Sequence, residues 1–311
     1  MTRTALQKFL GRFVLASTLP LTGCISPPGD CGNLPPEQTI VVRFDGGLPT
    51  DGPVTDAGCA ELCQQLLLGA GTVKGCEVVP VDGGISALAC TSSPICIGGR
   101  RPAGLGTPEV AGGDEVGRYL GRMAHLEAAS VDAFHRLSAE LAAHGAPATL
   151  VRAAGRAAID EVRHARVIGA LARHRGVTPP PVEIAPARSR SLAELALENA
   201  VEGCVGETWG AIVASWQGRS AGDLRIRAAL RRIAVEEAGH AELAVAVARW
   251  AEERLTDEER KAVAAAREAA VAQLVEAAGA EMPAELVEVL GLPEPRMARA
   301  LARAAARELW S

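Results

Sequence analysis

The chain has 311 residues, of which 48% are hydrophobic and 22% charged, and a formal net charge of -5. That length accommodates one sizeable core plus a small accessory domain, and the acidic balance argues against a general nucleic-acid binder. Only Lys8, Lys74 and Lys261 are lysines among 32 basic residues, a bias without functional content, set in an alanine-rich background that favours helix.

The chain opens with a positive region (Arg3, Lys8, Arg12) and a short apolar stretch from Phe13 to Leu21, too brief to span a bilayer. Leu21-Thr22-Gly23-Cys24 resembles the processing box of bacterial lipoproteins. That resemblance implies a signal peptide over residues 1–23 and a lipid anchor on Cys24. Ile25 and Ser26 follow, without the Asp of inner-membrane retention, so it also implies an extracytoplasmic protein held at the outer membrane rather than the inner.

A small cysteine-rich domain is expected over residues 24–96. Cys31, Cys59, Cys63, Cys76, Cys90 and Cys96 fall in this stretch, and an even, dense set in an exported segment reads as a disulfide framework. Many pairings are open, and the spacings that would favour zinc are missing. TIVVRF, GCEVVPVD and ISALACT read as strands, and DAGCAELCQQLLL as a helix capped by Asp56, giving a tiny α+β core that disulfides hold together. Residues 97–113, rich in Gly and Pro, read as a linker.

From residue 114 the pattern is helical. Helix one is expected from Asp114 to His144, ending at Gly145, and helix two opens at Pro147 and runs to Arg175 before Gly176. RGVTPPPVEIAPARSR (175–190) cannot be helix. Ser191 with Glu194 forms a capping box for helix three, which reaches Gln217; Ser220 with Asp223 starts helix four similarly, and Thr256 with Glu259 a fifth. Two shorter amphipathic segments follow Pro283 and Pro293 in a C-terminal extension over 256–311. Short loops make helices one and two, and three and four, antiparallel hairpins. Helix two is roughly 40 Å long, and the 16-residue connector spans about 50 Å when extended. It can therefore travel the length of the bundle. Residues 114–255 are thus expected to form a mainly all-α, four-helix bundle with one long crossover, the ferritin-like arrangement.

Each hairpin carries the same constellation. Glu127 lies 34 residues before Glu161, and Glu202 lies 35 before Glu237; Glu161 and Glu237 are followed at i+3 by His164 and His240 on the same helical face. The carboxylates interrupt apolar stripes: Met123, Val131 and Phe134 surround Glu127, and Ile233, Ala234, Ala241 and Ala244 surround Glu237. Buried carboxylates are expensive, and two divalent metals bridged by some of them would supply the compensation. On helix three Glu198, Glu202 and Glu207 compete for the inward position. Asp160 and Glu236 are placed to orient the outer nitrogen of a liganding His. His125, His135, His144 and His174 lie off this face or at helix ends. Tyr119 reads as a packing residue, as does Cys204.

With this pattern the stretch from about 114 to 255 resembles the ferritin-like, carboxylate-bridged dimetal proteins (rubrerythrins, acyl-carrier desaturases, arylamine oxygenases, tRNA hydroxylases), and in particular bacterial ferritin-like domains attached to lipoproteins. AHLEAASVDAFHRL and AAIDEVRHARV carry the likeness. It implies that Glu127, Glu161 and His164 serve chiefly one metal and Glu202, Glu237 and His240 the other, with Glu161 and Glu237 bridging. A Glu five residues after the ligand also occurs in those families, which favours Glu202 and leaves Glu207 outside. Two iron ions are the expected cofactor, with manganese or a mixed pair as alternatives, and the expected activity is that of an oxidase, peroxidase or oxygenase. The chain offers no rubredoxin-like CxxC pairs and no flavin or nicotinamide loop, so a multi-turnover oxygenase would need an external electron donor. Non-catalytic readings are a structural dimetal staple and iron handling through a ferroxidase-type site.

Overall fold

A computed structural model describes residues 8–9, 38–43, 59, 73–81, 85–92, 100–106, 109–186 and 188–310. The lipoprotein-type box at Leu21–Cys24 and most of the helix expected over 56–68 lie outside the described residues. The chain divides into two compact units, one spanning Asp30–Cys96 and the other containing Ile97–Ser311.

In the smaller unit, β1 (Gln38–Arg43), β2 (Val73–Val81) and β3 (Ile85–Ser92) form an antiparallel sheet in the order β1-β3-β2. These are the three β-rich runs of the sequence, and alternation of Val, Ile and Ala suits a pleated surface. Cys59 is disulfide-bonded to Cys76 at the centre of β2. Closing this loop, with a separation of 17 residues, restricts the unfolded chain by about 3 kcal/mol, a large share of what so small a sheet needs.

The larger unit is a ferritin-like four-helix bundle. Helix α1 (Glu115–Ala143) begins where Asp114 accepts a hydrogen bond from the Gly117 N–H at 2.6 Å, and it ends as Gly145 turns left-handed with φ 72°. Helix α2 (Ala148–His174) returns antiparallel. The extended crossover then leads to α3, opened by the capping box of Ser191 and Glu194, both of whose hydrogen bonds form. Helix α3 is not uniform. It runs as α-helix over Leu192–Glu198, widens into a π-helical stretch over Asn199–Glu207, and resumes over Thr208–Ser220. Helix α4 (Leu224–Glu252) completes the second hairpin. Its cap is Asp223, which accepts from the N–H groups of Arg225 and Ile226, so the expected pairing with Ser220 as the cap is corrected. The Ser220 hydroxyl instead donates to the carbonyls of Trp216 and Gly291 and closes the preceding helix.

Helices α5 (Asp257–Ala277), α6 (Ala284–Leu290) and α7 (Pro295–Glu308) form the extension, and α5 packs against the π-helical stretch. Beyond α7, the Trp310 indole N–H donates to the Cys204 carbonyl at 2.8 Å. At one end of the bundle Phe134, Leu137, Leu141, Leu195, Leu243, Val247 and Trp250 close around the small faces of Ala154, Ala157 and Ala158. Each fully buried large aliphatic side chain contributes roughly 1.5–3 kcal/mol. Among the described residues no helix is long and apolar enough to cross a membrane.

The described part of the Gly/Pro-rich segment is not a free tether. Gly106 N–H donates to the Glu183 carbonyl at 2.9 Å and Ala185 N–H to the Gly104 carbonyl at 3.0 Å, so it pairs antiparallel with the crossover. Arg100, 1% exposed, enters the bundle as its anchor.

Candidate metal centre

Halfway along the bundle two groups of side chains meet. Glu127, Glu161, His164 and Glu237 form one; Glu161, Glu207, Glu237 and His240 form the other, and within each group one ligand atom per residue lies within 4.8 Å of the rest. All are buried. Glu161 and Glu237 belong to both groups because each carboxylate points one oxygen at each imidazole. Glu161 Oε1 is 3.0 Å from His240 Nδ1 and its Oε2 3.6 Å from His164 Nδ1; Glu237 Oε1 is 3.1 Å from His164 Nδ1 and its Oε2 3.7 Å from His240 Nδ1. Glu127 lies 3.5 Å from His164 Nδ1, and Glu207 3.6 Å from His240 Nδ1. The i+3 spacing of each Glu–His pair, and the antiparallel hairpins, bring these atoms to one level.

The outer ring nitrogens face the residues that precede the shared carboxylates, each across on the opposite hairpin. His164 Nε2 hydrogen-bonds Glu236 Oε2 at 2.8 Å, and His240 Nε2 lies 3.6 Å from Asp160 Oδ2. Arg163 ties the two outer carboxylates together, pairing with Asp160 and, at 2.8 Å, with Glu236. At His164 the carboxylate at Nε2 keeps the ring proton there and leaves the Nδ1 lone pair facing inward, the tautomer a metal requires.

Inside, the polar atoms lack partners. Both oxygens of Glu161, Glu207 and Glu237, one of Glu127, and Nδ1 of His164 and His240 are buried without an aligned hydrogen bond. Protonation alone satisfies them badly. Burial, and repulsion from Glu127 and Glu237, push the Glu161 carboxyl well above the usual carboxylate range. Burial likewise lifts Glu207 to about 7, against the pull of His240. Burial would lower the His164 imidazole, but Glu127, Glu161 and Glu237 outweigh it and hold it well above the ordinary range; at His240, Asp160, Glu161, Glu207 and Glu237 do the same. Glu237 moves the other way, because both imidazoles outweigh its burial. Four carboxylates and two imidazoles with orphaned inward atoms fit a pair of divalent cations, whose roughly four positive charges would balance them. The arrangement is a cluster of carboxylate and imidazole ligands with the donor set of a dimetal site.

Of the residues singled out in the sequence, Glu127, Glu161, His164, Glu237 and His240 come together. Glu202 does not join them, and the expected assignment on the third helix is corrected: Glu207 faces the centre. Glu202 is turned toward the segment after Arg100, where its Oε2 accepts from the Arg101 N–H at 3.1 Å. The π-helical stretch is the reason. In a regular α-helix residues five apart point about 140° away from one another. The widened turn over Asn199–Glu207 advances the register, so phase counted from the Ser191 cap is wrong by the time it reaches Glu207. Glu198, the other candidate, is claimed by Arg100 and Arg190 at 2.6 and 3.1 Å.

His125 is buried with Nδ1 3.4 Å from the Pro180 carbonyl, and His144 and His174 hydrogen-bond Arg190 and Arg225. None of these three is in either group. No family model matches the chain, and neither a curated protein nor a solved structure matches it significantly.

Proposed function

We propose that the bundle houses two iron ions, with manganese or a mixed pair as the alternatives, and that the protein is an oxidoreductase of the oxidase, peroxidase or oxygenase kind. The observation that carries this reading is the double sharing of Glu161 and Glu237, each aimed at both Nδ1 atoms, with every inward oxygen unpartnered. Nitrogen and carboxylate donors without thiolate suit iron or manganese.

A bound iron pair supplies electrons to dioxygen or peroxide, chemistry that belongs to the metals. The chain's own residues do the rest. Glu161 and Glu237 fix the spacing between the two subsites, Glu127 and Glu207 close them from α1 and α3, and Glu236 holds the His164 imidazole in register while Asp160 faces that of His240. The helices on all sides keep bulk water from the carboxylates, which strengthens their hold on cations. An electron donor outside this chain is required for repeated turnover of an oxygenase.

The proposal includes export and a lipid anchor at Cys24. The lipoprotein-type box supports it, as does the Cys59–Cys76 disulfide, a bond of oxidising compartments.

Metal analysis of the full chain, purified under controlled iron and manganese, tests the reading beside a Glu161→Ala/Glu237→Ala variant. About two metals per chain are expected in the wild type, with loss from the variant. A wild-type protein that retains none under those conditions sinks the proposal.

A further inference from the structure

We propose that Arg100 is a positioning residue for one of the two metal subsites, the one lined by Glu207 and His240. The inference rests on the dimetal reading and adds an asymmetry to it.

Two routes lead from the Arg100 guanidinium to that subsite, and they are independent. The first runs through α3. Nε and Nη2 donate to the two oxygens of Glu198 at 2.7 and 2.6 Å, a bidentate pair, and Nη1 and Nη2 lie 3.4 and 3.3 Å from Asn199 Oδ1. Glu198 is the last residue before the π-helical stretch and Asn199 the first within it. One residue further along the segment 100–106, a strap laid on the crossover, the Arg101 N–H holds Glu202. The strap therefore grips the start and the middle of the stretch whose register delivers Glu207 to the centre. Asn199 passes the grip on: its amide donates to the Ala244 carbonyl of α4 at 2.9 Å.

The second route runs through α1. The guanidinium carbon lies 5.7 Å from the centre of the Phe134 ring, and Phe134 packs against the His240 ring at 4.9 Å with an interplanar angle of 56°. Arg100 thus braces both residues that serve this subsite alone, one through backbone register and one through ring packing. A planar fork can make the bidentate pair and the ring contact together, which an ammonium cannot.

Such a buried group is retained at a cost. Burial would lower the Arg100 pKa, but Glu198 outweighs it and raises it, while Arg100 and Arg190 hold Glu198 below the usual range. The charges stay, and so does the clamp.

Co(II) titration of the metal-free full chain, followed by visible absorption and calorimetry, tests the assignment. The wild type should take two equivalents. Arg100→Met keeps the backbone bond from Arg100 N–H to Ser130 and removes only the guanidinium. It should bind the first equivalent as before and the second at least tenfold more weakly, with altered absorption of that second ion. Arg100→Lys should recover only part of the loss. Two undiminished equivalents in Arg100→Met overturn the inference, and so does equal weakening of both, which would mean general loosening. Where Arg100→Met fails to fold by far-ultraviolet dichroism, Glu198→Gln takes its place under the same criteria. A wild type that takes fewer than two equivalents overturns the dimetal reading and this inference with it.

Discussion

Glu236 Oε2 stands 2.8 Å from His164 Nε2, yet Glu236 is the chain neighbour of Glu237 on the opposite hairpin. Glu237 therefore brings with it the group that orients the other hairpin's histidine. Removing Glu236 frees the His164 ring without touching an inward atom. Glu236→Ala should weaken metal affinity by roughly 10–100-fold, measured by competition with a chelator of known affinity. Glu236→Gln keeps an acceptor oxygen and should fall between. Unchanged affinity in the Ala variant would show that His164 is held by packing alone.

Helix α3 yields the sharpest contrast. Glu207 has both oxygens unpartnered inside the centre, and Glu202 is bonded to the strap outside it. Glu207→Gln should reduce retained metal from about two per chain toward one, whereas Glu202→Gln should leave it at about two. The reverse result would mean that the third helix follows ordinary α-helical phase in solution.

That contrast also marks where the sequence stopped being legible. The two hairpins, the crossover and five of the six inward residues follow from spacing, caps and stripe-breaking carboxylates, because a regular helix carries its phase from one end to the other. Nothing in NAVEGCVGE announces a π-helical turn, and a shift in phase there moves every later residue. One signal was available. His144 is equidistant from Glu127 and Glu161, and Gly222 is equidistant from Glu207 and Glu237. Both midpoints fall at the hairpin ends, as facing residues demand. The midpoint between Glu202 and Glu237 falls at Arg219 and Ser220, still inside the helix. Arg100 had no such signal. Its surroundings read as linker, and only the tertiary structure supplies Glu198 and Phe134 as its partners.

Glu202 predicts a pH dependence. Burial outweighs the help of Arg101 and lifts its carboxyl to about 8, far above the usual carboxylate range. A raised carboxyl means that the folded state binds the proton more tightly than the unfolded one. Its contribution is therefore fully present below about pH 4.5 and is lost as pH rises through about 8. Glu202→Gln, which stays neutral and keeps an acceptor for the Arg101 N–H, should match the wild type near pH 4.5 in denaturant unfolding. It should become the more stable of the two as pH rises, by on the order of a few kcal/mol. Taking the difference between the proteins at each pH cancels the titration of the metal centre. Parallel profiles would mean that Glu202 is ionised in the folded protein.

Gly203 sets two opposing effects against each other. In a helix Ala is favoured over Gly by about 1 kcal/mol, so Gly203→Ala looks stabilising on propensity alone. A Cβ at this position would lie 2.8 Å from the Ala244 methyl of α4 and 2.7 Å from Asn199 Oδ1, with Arg100 Nη1 at 3.3 Å. The first is a contact between helices, and relieving it requires α3 to move away from α4 or to change register. Overpacking of this kind costs about 1–3 kcal/mol, so the clash should win and the variant should be destabilised in chemical denaturation. Because Asn199 is displaced as well, the loss should extend to the subsite of Glu207 and His240, seen as weaker binding of the second Co(II) equivalent. A variant as stable as the wild type, with both equivalents intact, would mean that α3 and α4 have room to part at this level.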